Sequence, residues 1–146
     1  ADGAADTVNW DGPEDNGMDL EHVALWVSDL DRSLGFYDAL GFERSRSFTV
    51  DGVENVYVAA DAGELQLRYD PDRTTPIAPS RADTDHVAFV VEDVEDVDRA
   101  VECARQAGGS VVAEPHAVEA VDAYAGFVED PDGHTLEFFS VLGKLS

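Results

Sequence analysis

The chain has 146 residues, and its hydrophobic fraction of 44% is typical of a packed domain rather than of a disordered segment. Its 32 acidic residues outnumber 9 basic residues, which gives a net charge of −23. This charge excludes a protein that binds the nucleic-acid backbone, because such a surface needs clustered lysines and arginines. The acids are spread along the whole chain, so the charge favours adaptation to concentrated salt, as in a halophilic archaeon, over a docking surface for a basic partner.

The sequence predicts a cytoplasmic protein. No apolar run approaches the roughly 18 residues that a membrane span needs. The N-terminus is acidic and polar, whereas a secretion signal is basic and then apolar. The single cysteine, Cys103, cannot form a disulfide within the chain, which is typical of a reducing compartment.

Residues 1–17 are predicted to form an acidic N-terminal arm, and residues 18–146 a single domain. Within this domain we distinguish module one at 19–70, a joint at 71–83 that is rich in Pro, Asp and Ser, and module two at 84–142.

Module one begins with an alternating pattern over 20–28, which predicts a strand. Asp29 is the predicted N-cap of a helix that ends near Leu40, and Gly41 suits the left-handed residue that follows a helix. Three further strands are predicted near 43–50, 54–60 and 63–69. Asp51-Gly52 is typical of a hairpin turn between the first two of these.

Module two repeats this order. A strand at 84–92 leads to Asp93 as N-cap, and the helix that follows ends near Ala107, before two glycines. Strands are then predicted near 110–114, 123–129 and 134–141. The order βαβββ therefore occurs twice, which predicts an α+β fold with the helices on one side of the sheets.

The clearest repeat pairs residues 21–30 with 85–94, since both read acid-His-Val-Ala-apolar-x-Val-x-Asp-apolar. It places His22 and His86 at the same position of two first strands, where they would face one cleft. A single strand histidine is usually structural, but two symmetric ones favour a shared metal site.

The last strand of each module adds a further candidate ligand. Glu137 lies between apolar neighbours, and a carboxylate in such a place needs a partner such as a cation. Gln66 occupies the equivalent place in module one, and Glu64 on the same face is the alternative if the strand register differs. Two imidazoles, a carboxylate and an amide oxygen suit Zn, Ni, Co, Mn or Fe(II). His116 and His134 are predicted to lie in surface loops and not to bind metal.

The chain contains the four motifs HVALWVSDLDRSLGFYDALGFE, LQLRYD, DHVAFVVEDVE and FVEDPDGHTLEFF. Together they resemble motifs of the vicinal oxygen chelate superfamily, which includes glyoxalase I, extradiol dioxygenases and bleomycin-resistance proteins. The resemblance covers about residues 19–142. It implies paired βαβββ modules that form an open, cupped sheet around a divalent metal, and the ligands that it implies are His22, Gln66, His86 and Glu137.

The resemblance further implies a glyoxalase I-like lyase or isomerase that acts on a 2-oxoaldehyde–thiol adduct through an enediolate, with Glu137 as the base. We expect Arg68 to bind a substrate carboxylate, Trp26 to form the floor of the pocket and Tyr124 to line its entrance. Arg68 is equally well explained as an exposed strand-end residue, and Trp26 as core. A homodimer is expected, and the site lies either within one chain or between two.

Two alternatives from other classes remain. An Fe(II) extradiol ring-cleaving dioxygenase would use two histidines and a glutamate without Gln66. A non-catalytic binder similar to bleomycin-resistance proteins would not need four converging ligands. Methylmalonyl-CoA epimerase is similar in its ligands, but the Gly-rich stretch of that enzyme is replaced here by AVEAVDAY at 117–124.

Overall fold

The computed structural model of the protein describes residues 17–80 and 83–142, so the predicted arm lies outside the described residues apart from Gly17. The elements follow in the order β1 (His22–Trp26), α1 (Leu30–Ala39), β2 (Glu43–Val50), β3 (Val53–Ala59), β4 (Glu64–Tyr69), β5 (Val87–Val90), α2 (Val94–Gln106), β6 (Ser110–Val118), a 3₁₀ helix (Glu119–Val121), β7 (Ala123–Glu129) and β8 (Thr135–Val141). This order confirms the predicted α+β class. Neither helix of the described chain is long and apolar enough to cross a membrane.

Each module forms its own four-stranded sheet, with the orders β1-β4-β3-β2 and β5-β8-β7-β6. The first strand of each module runs parallel to the last strand, and the remaining neighbours are antiparallel. A parallel pair needs a long crossover connection, which here includes the helix and two strands. This topology leaves β1 and β5, the two strands that open the modules, at the edges of their sheets.

Local chemistry explains where the helices begin and end. The side chain of Asp29 accepts a hydrogen bond from the backbone N–H of Arg32 at 3.0 Å and caps α1. Asp93 and Asp96 form a capping box at the start of α2. Gly41, which follows α1, has a φ of +98°, a conformation that L side chains rarely adopt. The predicted caps are therefore confirmed.

One hydrophobic core joins both helices and both sheets. Its largest fully buried members include Phe36 and Tyr37 from α1, Leu65 and Leu67 from β4, Val97 and Val101 from α2, and Val128 and Leu136 from the second sheet. Because side chains alternate along a strand, the residues between these core positions lie on the opposite face of each sheet. That opposite face carries the candidate ligands.

The structure corrects one boundary in module two. The strand predicted to end at 114 continues to Val118, through Pro115 and His116, so the prediction that His116 lies in a loop was wrong. β6 is the outer strand of its sheet, where a proline with no N–H to donate is tolerated. Its pairing with β7 is irregular between Ala113 and His116, which accommodates the proline.

The turn between β7 and β8 holds the two modules together. The Tyr37 hydroxyl of α1 donates to Asp130 Oδ2 at 2.7 Å, and both side chains are buried. Asp130 Oδ1 accepts the backbone N–H groups of Asp132 and His134, each at 2.9 Å. Asp132 in turn accepts the backbone N–H of Ser28 at 3.1 Å. The start of α1 is thus bound to the last hairpin of the chain.

His134 belongs to the same contact between modules. Its Nε2 lies 2.8 Å from the backbone oxygen of Trp26 at the end of β1, and the residue is half-buried. His134 lies in the loop before β8, as predicted, but its contact with a backbone group of the other module was not expected from the sequence.

We expect Tyr37→Phe to lower the free energy of unfolding by about 1–3 kcal/mol, the cost of leaving a buried polar group without its partner. Burial raises the pKa of the Asp130 carboxyl, while the hydrogen bond from Tyr37 opposes this rise. A raised pKa means that stability is fully present below the ordinary pKa of the carboxyl and is lost as the pH rises through the raised value. The hydrogen bond from Tyr37 stabilises the ionised carboxylate, so its removal raises the pKa of Asp130 further. Tyr37→Phe should therefore lower the free energy of unfolding more at neutral pH, where the carboxyl is ionised, than in acid.

Denaturant unfolding at several pH values measures this effect. Tyr69→Phe is the matched control, because the Tyr69 hydroxyl has no hydrogen bond within the described part of the chain. Equal losses for the two variants would contradict a specific role of the Tyr37–Asp130 contact.

Candidate metal and substrate site

His22 opens β1, whereas His86 immediately precedes β5, because the strand predicted at 84–92 is confined to Val87–Val90. The parallel pairing in each sheet brings each histidine close to the last strand of the same module. In the register of β1 and β4, His22 lies opposite Glu64, and Ala24 lies opposite Gln66. In β5 and β8, Ala88 lies opposite Glu137. Because Ala24 and Ala88 each come two residues after the histidine, Gln66 and Glu137 occupy equivalent positions of the repeat. The register therefore agrees with the ligand correspondence expected from the sequence.

His86 and Glu137, which we call half-site two, are in direct contact. His86 Nε2 lies 3.1 Å from Glu137 Oε1, and the glutamate side chain is 19% exposed. The other ring nitrogen, Nδ1, lies 2.7 Å from the carboxylate of the preceding residue, Asp85. The imidazole packs edge-on against Phe127 with ring centres 5.6 Å apart. The ring is thus held from two sides while Nε2 is directed at the carboxylate.

In half-site one, which comprises His22 and Gln66, the histidine ring is held in the same way. His22 Nδ1 lies 2.6 Å from Glu21 Oε1, and the ring packs edge-on against Tyr57 with centres 5.3 Å apart. The hydrogen bond to His22 is the main cause that lowers the pKa of Glu21. A carboxylate on Nδ1 fixes the orientation of an imidazole and leaves Nε2 to bind a metal.

The amide of Gln66 is oriented by a buried asparagine that the sequence reasoning missed. Asn55 is 1% exposed and lies on β3, where it faces Arg68 in the register with β4. Asn55 Oδ1 accepts hydrogen bonds from Gln66 Nε2 and Arg68 Nε, both at 2.9 Å. Its own Nδ2 donates to the backbone oxygen of Val53 at 3.1 Å. Gln66 therefore presents its nitrogen to Asn55 and keeps its oxygen for another partner.

Glu64, the alternative ligand, is engaged elsewhere on one of its two oxygens. Its Oε2 accepts from the Ser45 hydroxyl at 3.1 Å. Its Oε1 lies 3.7 Å from the Arg46 guanidinium, is buried and has no hydrogen bond. Such an oxygen can accept a cation, so Glu64 keeps its place as the alternative to Gln66.

The two half-sites do not converge within one copy of the chain. Within residues 17–80 and 83–142, no three His, Cys, Asp or Glu side chains are placed to hold a metal ion together. The structure thus places Glu137 in contact with His86. It places Gln66 on the same sheet face as His22, and it leaves these two pairs separate.

A cleft of about 390 Å³ adjoins half-site two and includes Trp26, Arg73, His86 and His134 in its lining. The Arg68 guanidinium carbon lies 4.5 Å from the centre of the Trp26 ring, and that of Arg73 lies 4.7 Å from it. The structure therefore brings together Arg68 and Trp26, which the sequence predicted as separate substrate contacts. Arg73, which the sequence did not single out, lies against the same ring.

Tyr124, the fourth candidate for substrate contact, lies elsewhere. Its hydroxyl donates to Asp98 Oδ1 on α2 at 2.7 Å. Tyr124 is three residues from Phe127, and an odd spacing along a strand places the two side chains on opposite faces. The structure therefore directs Tyr124 towards the helix and away from His86.

Comparison with known proteins gives consistent matches over nearly the whole chain. Residues 19–138 match the family described as the Glyoxalase/Bleomycin resistance protein/Dioxygenase superfamily. The chain is 33% identical over 135 residues to a lactoylglutathione lyase of Haemophilus influenzae, covering 83% of this chain and 91% of that one. It is 28% identical over 137 residues to a lactoylglutathione lyase of Arabidopsis thaliana, covering 92% of this chain and 47% of that one. The chain thus spans about half the length of the plant protein.

The fold is similar to solved structures. A glyoxylase/bleomycin resistance protein/dioxygenase domain from a Frankia species superposes with a TM-score of 0.74 at 22% identity, covering 85% of this chain and 98% of that domain. Likeness at this identity establishes the shared fold and nothing about the reaction.

Proposed function

Because the chain belongs to the Glyoxalase/Bleomycin resistance protein/Dioxygenase superfamily, we propose that it is a divalent-metal-dependent lyase or isomerase of the glyoxalase I kind. Its substrate would be a 2-oxoaldehyde–thiol adduct. The observation that carries this proposal is the contact of 3.1 Å between His86 Nε2 and Glu137 Oε1, with the other ring nitrogen held by Asp85. A protein that only sequesters ligands has no need of an imidazole oriented in this way.

The donor set fits a divalent metal of the first transition row. Nε2 of His22 and of His86, a carboxylate oxygen of Glu137 and the amide oxygen of Gln66 are nitrogen and oxygen ligands that Zn, Ni, Co, Mn and Fe(II) accept. When bound, the metal would polarise two neighbouring substrate oxygens and stabilise the enediolate.

Glu137 is the group in half-site two that can move a proton. Its carboxylate would accept the proton from the carbon next to the carbonyl and return it to the neighbouring carbon, so that the reaction needs no further reactant. Phe127, opposite Glu137 in the register of β7 and β8, places an aromatic ring against His86 and so holds the imidazole beside this carboxylate. Glu137 thus serves as ligand and as base.

We propose that two copies of the chain complete the site. Half-site one of one copy would meet half-site two of the other, and a two-fold axis would generate two identical sites. β1 and β5 are edge strands, which proteins usually cover. Exposed apolar residues lie on or beside them, with Leu20 82% and Val90 64% exposed. Both features support an interface at these strands.

The charge at Trp26 supports a carboxylate on the thiol part of the substrate. Among the described arginines, Arg32, Arg44, Arg46, Arg99 and Arg105 form ion pairs with carboxylates. Arg68 and Arg73 do not, although the chain has 32 acidic and 9 basic residues. Arg68 Nε donates to the neutral Asn55 side chain, and Arg73 Nε is buried without a partner. Arg73, which lines the cleft, and Arg68, which contacts the same Trp26 ring, would together bind a carboxylate well.

Metal content by mass spectrometry tests the proposed function. We expect near-stoichiometric metal in the wild type, and its loss in His86→Ala and Glu137→Ala, since each removes a ligand. His116→Ala is the matched histidine control, because His116 lies on the outer strand β6 and its Nδ1 lies beside the Glu114 carbonyl oxygen.

Nickel, cobalt, zinc or manganese together with turnover of methylglyoxal–thiol adducts would support the proposal. Absence of metal after reconstitution would leave a binding protein, and iron with oxygen uptake on catechols would favour the dioxygenase.

Mixing two inactive variants tests whether the site is shared. The two variants are His22→Ala and His86→Ala, and their subunits are exchanged to form mixed dimers. If two copies complete each site, a mixed dimer contains one intact site, made from the unchanged half-site of each subunit. Random exchange then restores about a quarter of the wild-type sites. Metal binding and turnover both report this restoration. A site within one chain would stay inactive in every mixture.

Binding of small carboxylates tests the role of Arg73. The chain has two tryptophans, so in a Trp10→Phe background the fluorescence of Trp26 reports binding alone. We expect methylthioacetate to bind more tightly than its neutral amide, and Arg73→Gln to reduce this preference about tenfold, as for hydrogen bonds to a charged group. Arg99→Gln on exposed α2, which removes an ion pair with Asp96, is the control. An unchanged preference in Arg73→Gln would exclude this role.

A further inference from the structure

Asn55 stands apart from the other polar residues near the half-sites because it is almost fully buried and all its hydrogen-bonding partners are identified. It is 1% exposed. Its Oδ1 accepts from Gln66 Nε2 and from Arg68 Nε at 2.9 Å each, and its Nδ2 donates to the Val53 carbonyl at 3.1 Å. A buried amide with both ends engaged has one favourable orientation.

The orientation of Gln66 follows from what each partner is able to do. A guanidinium group can only donate hydrogen bonds, so the Asn55 atom that faces Arg68 must be the oxygen. The Val53 carbonyl can only accept, so the nitrogen of Asn55 must face it. An oxygen at this position requires Gln66 to present its NH₂ group. The Gln66 oxygen is then the end of the amide that points away from Asn55.

We propose that Asn55 is a positioning residue that holds Gln66 so that its oxygen, and not its nitrogen, faces the metal. This inference rests on the proposed function, because it assigns a role towards the metal of that site. An amide nitrogen carries two protons and has no lone pair for a metal, so a flipped Gln66 would not bind. Fixing the amide in advance removes the flipped state and raises the apparent affinity for the metal.

The same contact accounts for a glutamine, rather than a glutamate, at position 66. A carboxylate there would bring an acceptor oxygen against Asn55 Oδ1, and the hydrogen bond of 2.9 Å would be lost. Arg68 shares the Asn55 oxygen, so turning Asn55 around would also break its bond to Arg68. Asn55, Gln66 and Arg68 are therefore matched to one another.

Metal affinity, measured by competition with a chromophoric chelator, tests the inference in two backgrounds. We expect Asn55→Leu to weaken binding 10–100-fold, roughly the effect of removing a residue that orients a ligand. In the Gln66→Glu background Asn55→Leu should have little effect, because a carboxylate has no nitrogen end to turn towards the metal. Equal weakening in both backgrounds would identify a merely structural role and overturn the inference.

Two further measurements keep the outcome decisive. Side-chain amide NMR of the wild type should show slow solvent exchange for the Gln66 NH₂ protons, with the signals assigned by their loss in Gln66→Glu. Rapid exchange would overturn the inference even if Asn55→Leu does not fold. Loss of metal in Glu64→Gln but not in Gln66→Leu would also overturn it, because Glu64 would then be the ligand.

The failure of this inference differs from the failure of the proposed function. A wild type that binds metal and turns over the adduct, with an unaffected Asn55→Leu, would remove the positioning role alone. A wild type that binds no metal would remove both.

Discussion

The parallel pairing of the first and last strands in each module is the constraint on which the site depends. A histidine near the start of β1 or β5 acquires its neighbours only because β4 or β8 lies beside it in parallel. The crossover that makes this pairing possible contains the helix, and the helix supplies much of the core. Packing and ligand placement therefore have one cause, and a change of register by one residue would turn His22 and Gln66 into the core.

The acidic composition gives the few arginines a defined role. Most described guanidinium groups neutralise nearby carboxylates, as Arg105 does with Glu102 and Glu114. Arg68 and Arg73 are held instead by an aromatic ring, and Arg68 also by a neutral amide. An aromatic face attracts a cation without cancelling its charge. Their positive charge is therefore not neutralised by a carboxylate of the described residues.

The sequence was sufficient for features that depend on local periodicity. The caps at Asp29 and Asp93, the turn at Gly41 and most strands follow from spacing and residue type, and the structure confirms them. The repeat also indicated that His22 and His86 are equivalent, although their role towards a metal stays a prediction. The preceding acids were part of the same repeat, so their contact with each Nδ1 could have been predicted from it.

Features that depend on pairing between distant strands could not be obtained in this way. Asn55 reaches Gln66 only in the register of β3 and β4, and nothing local to Asn55 indicates it. His134 was predicted at the surface because its partner, the Trp26 carbonyl, lies 108 positions away in the sequence. Tyr124 was assigned to the entrance, and only the alternation of β7 together with the place of α2 directs it to Asp98. Each of these contacts joins residues that are distant in the sequence, so local patterns do not indicate it.

The contact between modules bears on how the half-sites come together. Two half-sites in one chain could meet by a hinge motion, or they could meet their counterparts in a second copy. A hinge would have to separate the buried Tyr37–Asp130 pair and the Trp26–His134 contact, and it would open a core to which both modules contribute. Exposing that core would cost free energy in proportion to the apolar area brought into water. The rigid joint between the modules therefore favours completion of the site by a second chain.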